Sequence, residues 1–211
     1  MEWAFPARIE LIGQTVNLEP LSADHICELW QAAERAESSW TYLRYGPFET
    51  KALLGEFVSS LCERREQPFW AVRPLTTNQA QGWLSLCDVY TLDGAIEIGS
   101  IWYSPALQRT RASTEAIFLL MRHVFDDLGY RRLVWRSSAA NAASLNSARR
   151  YGFKFEGIWR DAALVKGRRC DLAWYSMLAH EWPARRSAIS AWLSEANFDK
   201  NGMALHSLSR P

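Results

Sequence analysis

The segment Ala95-Ile96-Glu97-Ile98-Gly99-Ser100-Ile101-Trp102-Tyr103-Ser104-Pro105-Ala106-Leu107-Gln108-Arg109-Thr110-Arg111-Ala112-Ser113 decides how this chain folds. Ile96 and Ile98 alternate with Glu97 and Gly99, the period of a strand, over Ala95 to Tyr103. Ser104-Pro105 ends it, because proline has no N–H to extend a ladder. From Arg111 the spacing becomes helical: Ala112, Ala116, Leu119, Leu120, His123 and Val124 share a face, which puts His123 in packing, and Gly129 stops the helix. The short apolar run Leu133-Val134-Trp135 then predicts a buried strand over Arg131 to Arg136. Two strands joined through a helix need a crossover, so these two are predicted to be parallel. The junction between strand and helix is also the natural ligand site. A helix's first turn exposes unpaired N–H groups and the positive end of its dipole, which suits a phosphate, and Arg109 and Arg111 add charge there.

Downstream, Asn141 is a good cap for a second helix ending at Tyr151, with Arg149 and Arg150 in its last turns. Residues 153–165 and 170–178 read as a hairpin around Lys166-Gly167-Arg168. A terminal helix from Glu181 to Leu193 carries the apolar stripe Trp182, Ile189, Trp192 and Leu193, which would suit a homodimer. Beyond Asn197 the composition turns polar and the end is expected to be loose. Upstream, Thr91-Leu92-Asp93-Gly94 is a hairpin turn, so the strand over residues 81–90 should pair antiparallel with Ala95 to Tyr103. Residues 69–72 form another strand and residues 14–21 a first one. Between those two lie a helix capped at Ser22-Ala23-Asp24, an aromatic loop from Trp40 to Phe48, and a helix through Leu53, Leu54, Phe57, Val58 and Leu61. The loop either walls a substrate pocket or covers a sheet edge.

The chain's 211 residues suffice for one domain, here 14–180, with 181–211 as a helix and loose tail. A net charge of +1 gives no bulk attraction to nucleic acid or an anionic membrane, and no apolar run is long enough for a span. Cys27, Cys62, Cys87 and Cys170 lie far apart without CxxC spacing and do not cluster with the histidines, so no metal site is expected. They read as reduced thiols of a cytoplasmic protein, with no signal peptide at Met1-Glu2-Trp3.

The order strand, two helices, three antiparallel strands, helix, strand, helix, two strands resembles the GNAT acyltransferase fold. That is an α/β single domain whose mixed, mostly antiparallel sheet contains one splayed parallel pair. Ile98 to Pro105, Gln108-Arg109-Thr110, Thr114-Glu115-Ala116, Leu128 to Arg132, Asn141-x-x-Ser144, Gly152-Phe153-x-x-Glu156-Gly157, Lys166-Gly167-Arg168, Asp171 and Glu181-Trp182-Pro183 look like the branch related to the ribosomal-protein alanine acetyltransferases. The resemblance implies an acyl-CoA such as acetyl-CoA, without metal, in the gap where the parallel strands splay. It implies that backbone at Ile101, Trp102 and Tyr103 meets the pantetheine, and that Gln108, Arg109, Thr110, Arg111, Ala112 and Ser113 wrap the pyrophosphate. Asn141 would bind the pantetheine arm or orient the second helix, and Ser144 would protonate the leaving thiolate. The acceptor would be a small-molecule amine or a protein N-terminus, acylated directly in a ternary complex.

The departures point the other way. The common loop Q/R-x-x-G-x-G/A has glycines that let backbone close on phosphate, and residues 108–113 have none. Side chains that relatives use for acid or base chemistry fall at Ala148, Ala162, Ala163 and Ser137-Ser138. Glu97 is then the best general base, acting through a water, unless it is an exposed strand glutamate paired with a nearby Arg or Lys. Asp161 and Glu156 follow it. The alternative function is a diverged member of the fold that does not acetylate, either a binding protein or a CoA-independent enzyme.

Overall fold

Residues 2–208 are described by a computed structural model. The strands are β1 (Leu11–Ile12), β2 (Val16–Pro20), β3 (Phe69–Pro74), β4 (Gly82–Tyr90), β5 (Ala95–Tyr103), β6 (Arg132–Ser138), β7 (Lys154–Val165) and β8 (Arg168–Leu178). They form one sheet in the order β1-β2-β3-β4-β5-β6-β8-β7, with β5–β6 the parallel pair. The helices are α1 (Ile26–Ala33), α2 (Lys51–Glu63), α3 (Arg111–Arg122), α4 (Ala142–Tyr151) and α5 (Trp182–Leu193). The two-residue β1 is absent from the sequence reading, since so short a strand has no periodicity to detect. Among the described residues no helix is long and apolar enough to cross a membrane.

Both hairpin turns follow their residues. Tyr90 pairs with Ala95 across a turn in which Gly94 has φ +61. Val165 pairs with Arg168 across Lys166-Gly167, both at positive φ, as a two-residue turn matched to strand twist requires. The sheet has a core on each face. Ile96, Ile98, Leu133 and Trp135 pack with Ile117 and Leu120 of α3, Ala148 and Tyr151 of α4, and Ile189 of α5. On the other face Phe69, Ala71, Trp83 and Trp102 pack with Leu29 of α1 and Leu54, Val58 and Leu61 of α2. Trp40 is buried there and stacks on Trp102 with ring centroids 4.3 Å apart, so this member of the aromatic loop covers the sheet. His123 is buried at the end of α3, its Nδ1 2.9 Å from Asp127.

The C-terminal part makes more contacts with the rest of the chain than its composition suggests. Trp182, Ile189 and Leu193 are buried, with Trp182 stacked on Phe125 at 5.2 Å, so the stripe offered as a dimer face is spent inside the chain. The stretch after Asn197 is pinned rather than loose. The Asn197 side chain donates to the Trp192 carbonyl and accepts from the His206 amide, and Leu208 is buried in the core. Residues 209–211 of that tail lie outside the described residues.

Gly152 ends α4 in the left-handed region at φ +92, and a Cβ there would lie 2.6 Å from Cδ of Arg185. That arginine is buried and its Nε donates to the Tyr151 carbonyl, so it caps the helix and has little room to move. Gly152→Ala is therefore expected to cost about 1–3 kcal/mol, measured by denaturant unfolding.

Candidate active site

The parallel pairing is short. Ala95, Ile96 and Glu97 of β5 face Arg132, Leu133 and Val134 of β6, and there the register ends. β5 continues to Tyr103 with its other edge on β4, and β6 continues to Ser138 with its other edge on β8. The edges of residues 98–103 and 135–138 that face each other thus diverge into a wedge in which β5 and β6 no longer pair with one another. A bulge at Ser100, φ +50, shifts the alternation by one residue. Past it Ile101 and Tyr103 pack toward the α3 face and Trp102 toward the α1–α2 face. The Tyr103 hydroxyl is buried and has no partner among the described residues, and burial holds its pKa well above the ordinary value.

The wedge leads to the start of α3. Thr110 caps that helix, its hydroxyl accepting from the Ser113 amide at 3.0 Å and its carbonyl from the Thr114 amide. Among the described residues no hydrogen bond is made by the amides of Arg109, Arg111 and Ala112. Arg109 is exposed and left-handed at φ +62, a conformation that a glycine would adopt more readily. Arg111 turns away from this turn: its guanidinium donates to the Leu193 carbonyl at the end of α5 and lies 4.6 Å from the Phe198 ring. The second bulky residue of the loop therefore does not cover the amides. Gln108 donates to the Tyr103 carbonyl at 3.0 Å, bracing the loop on β5. This combination of open amides and a helix dipole at the mouth of the splayed strands fits a diphosphate and its pantetheine arm.

Glu97 lies at the apex, in the last parallel pair, and is 5% exposed. It is paired with an arginine, as one reading of the sequence had it, but it is buried rather than solvated. Nη2 of Arg136 lies 3.1 Å from its Oε2 and 2.6 Å from Oδ2 of Asp88. The contact to Glu97 is an ion pair whose angle is not that of a hydrogen bond, and Oε2 has no hydrogen-bond donor among the described residues. Burial pushes the Glu97 carboxyl up to about 8; Arg136 opposes this and Asp88 adds to it. Cys87, its cross-strand partner, is pushed up as well, by burial and then by the carboxylates of Glu97 and Asp88.

Ser144 approaches from the other face of the sheet, its hydroxyl accepting from Trp135 Nε1 at 3.0 Å, which leaves its own proton free to donate. Asn141 caps α4, its side chain accepting from the Ser144 amide at 3.1 Å. Of its two expected roles, orienting the helix is the one these contacts display. Ala148 is fully buried. Glu156 is tied to Arg132 and, at 2.6 Å, to Ser176, and these partners hold its carboxyl below the usual range. Asp161 is exposed on the hairpin, paired with Arg169 at 3.3 Å. Neither stands at the wedge. Arg136 and Asp88 were missing from the sequence reading, since only the splay and a bulge bring them to Glu97.

Two contacts span the α1–α2 side of the wedge. Lys166 at the tip of the β7–β8 hairpin donates to the Trp40 carbonyl at 2.7 Å, and the Tyr42 hydroxyl donates to the Ala140 carbonyl at 3.0 Å.

Comparison with known proteins identifies the family of the fold. Residues 15–154 match the family model described as an acetyltransferase (GNAT) domain. The crystal structure of a GCN5-related N-acetyltransferase from Brucella melitensis superposes with a TM-score of 0.96 at 40% identity, covering 98% of this chain and 95% of that one. A Chromobacterium violaceum protein described as a probable acetyltransferase of the GNAT family superposes with a TM-score of 0.81 at 38% identity, over 87% and 92% of the two chains. In sequence the chain is 25% identical over 180 residues to the Bacillus subtilis (strain 168) protein named “Putative ribosomal N-acetyltransferase YdaF”, covering 80% of this chain and 92% of the relative. With its sheet, its splayed strand pair and a family match over most of its length, this chain belongs to the GNAT acetyltransferase family.

Proposed function

We propose that this protein transfers an acetyl group from acetyl-CoA directly to the amine of a small molecule or a peptide N-terminus. The observation that carries the proposal is the wedge itself: open strand edges run from the buried Glu97 to the free amides of Arg109, Arg111 and Ala112. When bound, the cofactor supplies an activated thioester carbonyl. The chain's own groups do the rest. The amides and the α3 dipole bind phosphate, with Arg109 beside them, and the Ile101–Tyr103 edge orients the arm. Glu97, through a water, takes a proton from the substrate's ammonium, the neutral amine so formed attacks the thioester carbonyl, and backbone N–H groups of that edge polarise that carbonyl. Ser144 hydrogen-bonds the departing sulfur and relays to it the proton that the newly bonded nitrogen loses, so that the thiol leaves and the hydroxyl is restored.

Direct transfer is favoured because Cys87, the thiol beside Glu97, is held protonated and is a poor nucleophile. Arg111 no longer argues for a non-acetylating protein, since its side chain is engaged with Leu193 and Phe198. A peptide acceptor is supported by the name of the Bacillus subtilis relative, and the exposed Ile158 and Trp159 of β7 offer apolar surface for one.

Thermal melts with acetyl-CoA test the cofactor. A ligand that binds only the folded state at a hundredfold excess over Kd adds about 2.7 kcal/mol of stability. The expected result is a clear rise in Tm, followed by CoA release with an amine or peptide in the acceptor panel and intersecting initial-rate patterns. No shift at millimolar acetyl-CoA would overturn the assignment.

A further inference from the structure

Glu97 poses a problem that its own position does not solve. A carboxyl this buried keeps its proton, and a protonated carboxyl is no base; a carboxylate fully neutralised by an arginine is a weak base. The groups facing Glu97 are Cys87 and Asp88 from β4 and Arg136 from β6, with Trp174 of β8 behind Arg136. Arg136 is two residues past Val134, the last residue of β6 paired with β5, so its side chain bridges the two strands where they part. Its guanidinium lies 4.9 Å from the Trp174 ring, and that ring in turn meets Trp159 in a tilted contact with centroids 4.3 Å apart. Gly99 leaves room for the carboxyl, since a Cβ there would lie 3.0 Å from both Oε1 of Glu97 and Sγ of Cys87.

Asp88 provides an independent observation. Cys87 is the cross-strand partner of Glu97 and shares its face, so in a regular strand Asp88 would point to the opposite side. Instead the register of β4 on β5 shifts between Cys87 and Tyr90, and Asp88 adopts φ +44, which turns its carboxylate onto Arg136. Bulges and left-handed non-glycine residues are retained where they re-aim a side chain. The nitrogen shared by the two acids lies closer to Asp88, at 2.6 Å, than to Glu97, at 3.1 Å.

We propose that Arg136 is a positioning residue that favours the carboxylate form of Glu97 and holds it where β5 and β6 part, and that Asp88 is its counterweight, drawing the guanidinium away so that Glu97 stays basic. This rests on Glu97 being the base, as proposed above. The two partners act with opposite sign. Removing Arg136 takes away the cation that favours the carboxylate; removing Asp88 takes away a like charge and frees Arg136 for Glu97.

The test is the pH profile of kcat/KM for wild type, Arg136→Met, Arg136→Lys and Asp88→Asn, together with 13C NMR titration of glutamate carboxyls in the cofactor-free protein, assigned with Glu97→Gln. Arg136→Met is expected to move the acidic limb and the Glu97 titration up by about one pH unit or more, and Asp88→Asn to move both down. Arg136→Lys should recover most of the shift. Arg132→Met, which breaks the ion pair at the far end of β6, should leave both in place. If Arg136→Met and Asp88→Asn shift the limb in the same direction, or neither moves it while Glu97→Gln still abolishes turnover, the positioning role is wrong and the base assignment stands. If Glu97→Gln turns over like wild type, both fall.

Discussion

Replacing Glu97 by Gln is expected to lower kcat by about 10²- to 10⁴-fold while acetyl-CoA still raises the melting temperature. Glutamine fills the same space and leaves Arg136 bound to Asp88, so the wedge should keep its shape. What disappears is the acceptor of the amine's proton. The pH dependence follows from the direction of the shift. Burial pushes the Glu97 carboxyl up to about 8, so the wild-type rate should climb with pH, reach half its plateau near that value and level off above it. The Gln variant should show no such limb. Stability moves in the opposite sense. A carboxyl whose folded pKa exceeds its unfolded value contributes stability fully below the unfolded pKa, near 4.5, and that contribution is lost as pH rises through about 8. Relative to wild type, Glu97→Gln should therefore gain in Tm between pH 6 and pH 9. A variant that turns over like wild type at every pH would remove Glu97 from the mechanism.

Much of the scaffold was legible because it is written in local chemistry. The change of period at Ser104-Pro105 marks strand and helix, Asp93-Gly94 closes a four-residue hairpin loop and Lys166-Gly167 a two-residue one, and a crossover helix makes β5 and β6 parallel. Asn141 is the cap that its side-chain type predicts, and α3 begins at Arg111, where the helical spacing sets in. The details of the site were not legible, because they depend on a single inserted residue or a distant contact. The bulges at Asp88 and Ser100 reverse the faces of the residues near them, and no composition rule announces a bulge without glycine. Arg136 reads as an ordinary polar flank of a short strand until the splay aims it at Glu97. The tail after Asn197 looks solvated, yet it is held by one asparagine and a buried Leu208, too few residues to form a pattern.

The direction of Arg111 was likewise hidden, and it changes which arginine matters for the cofactor. From sequence, Arg109 and Arg111 are equivalent members of a phosphate loop. In the fold Arg111 serves the C-terminal segment: its guanidinium meets a helix-terminal carbonyl at Leu193, where the dipole favours a cation, and covers the Phe198 ring. Arg109 remains exposed beside the free amides. Arg109→Asp is thus expected to weaken CoA binding about 10- to 100-fold, since it replaces a cation by an anion next to the diphosphate, and added salt should narrow the gap. The backbone should tolerate the change, because aspartate is among the residues that enter the left-handed region more readily. Arg111→Met is expected to behave in the reverse way, leaving CoA affinity within about threefold while lowering Tm by about 2–4 °C through the lost carbonyl bond and ring contact. Calorimetric titration of CoA and melts of the free proteins separate the two. Equal loss of affinity in both variants would mean that Arg111 leaves Leu193 to reach the phosphates. An unchanged affinity in Arg109→Asp would place the diphosphate away from the start of α3, and the open amides there would need another ligand.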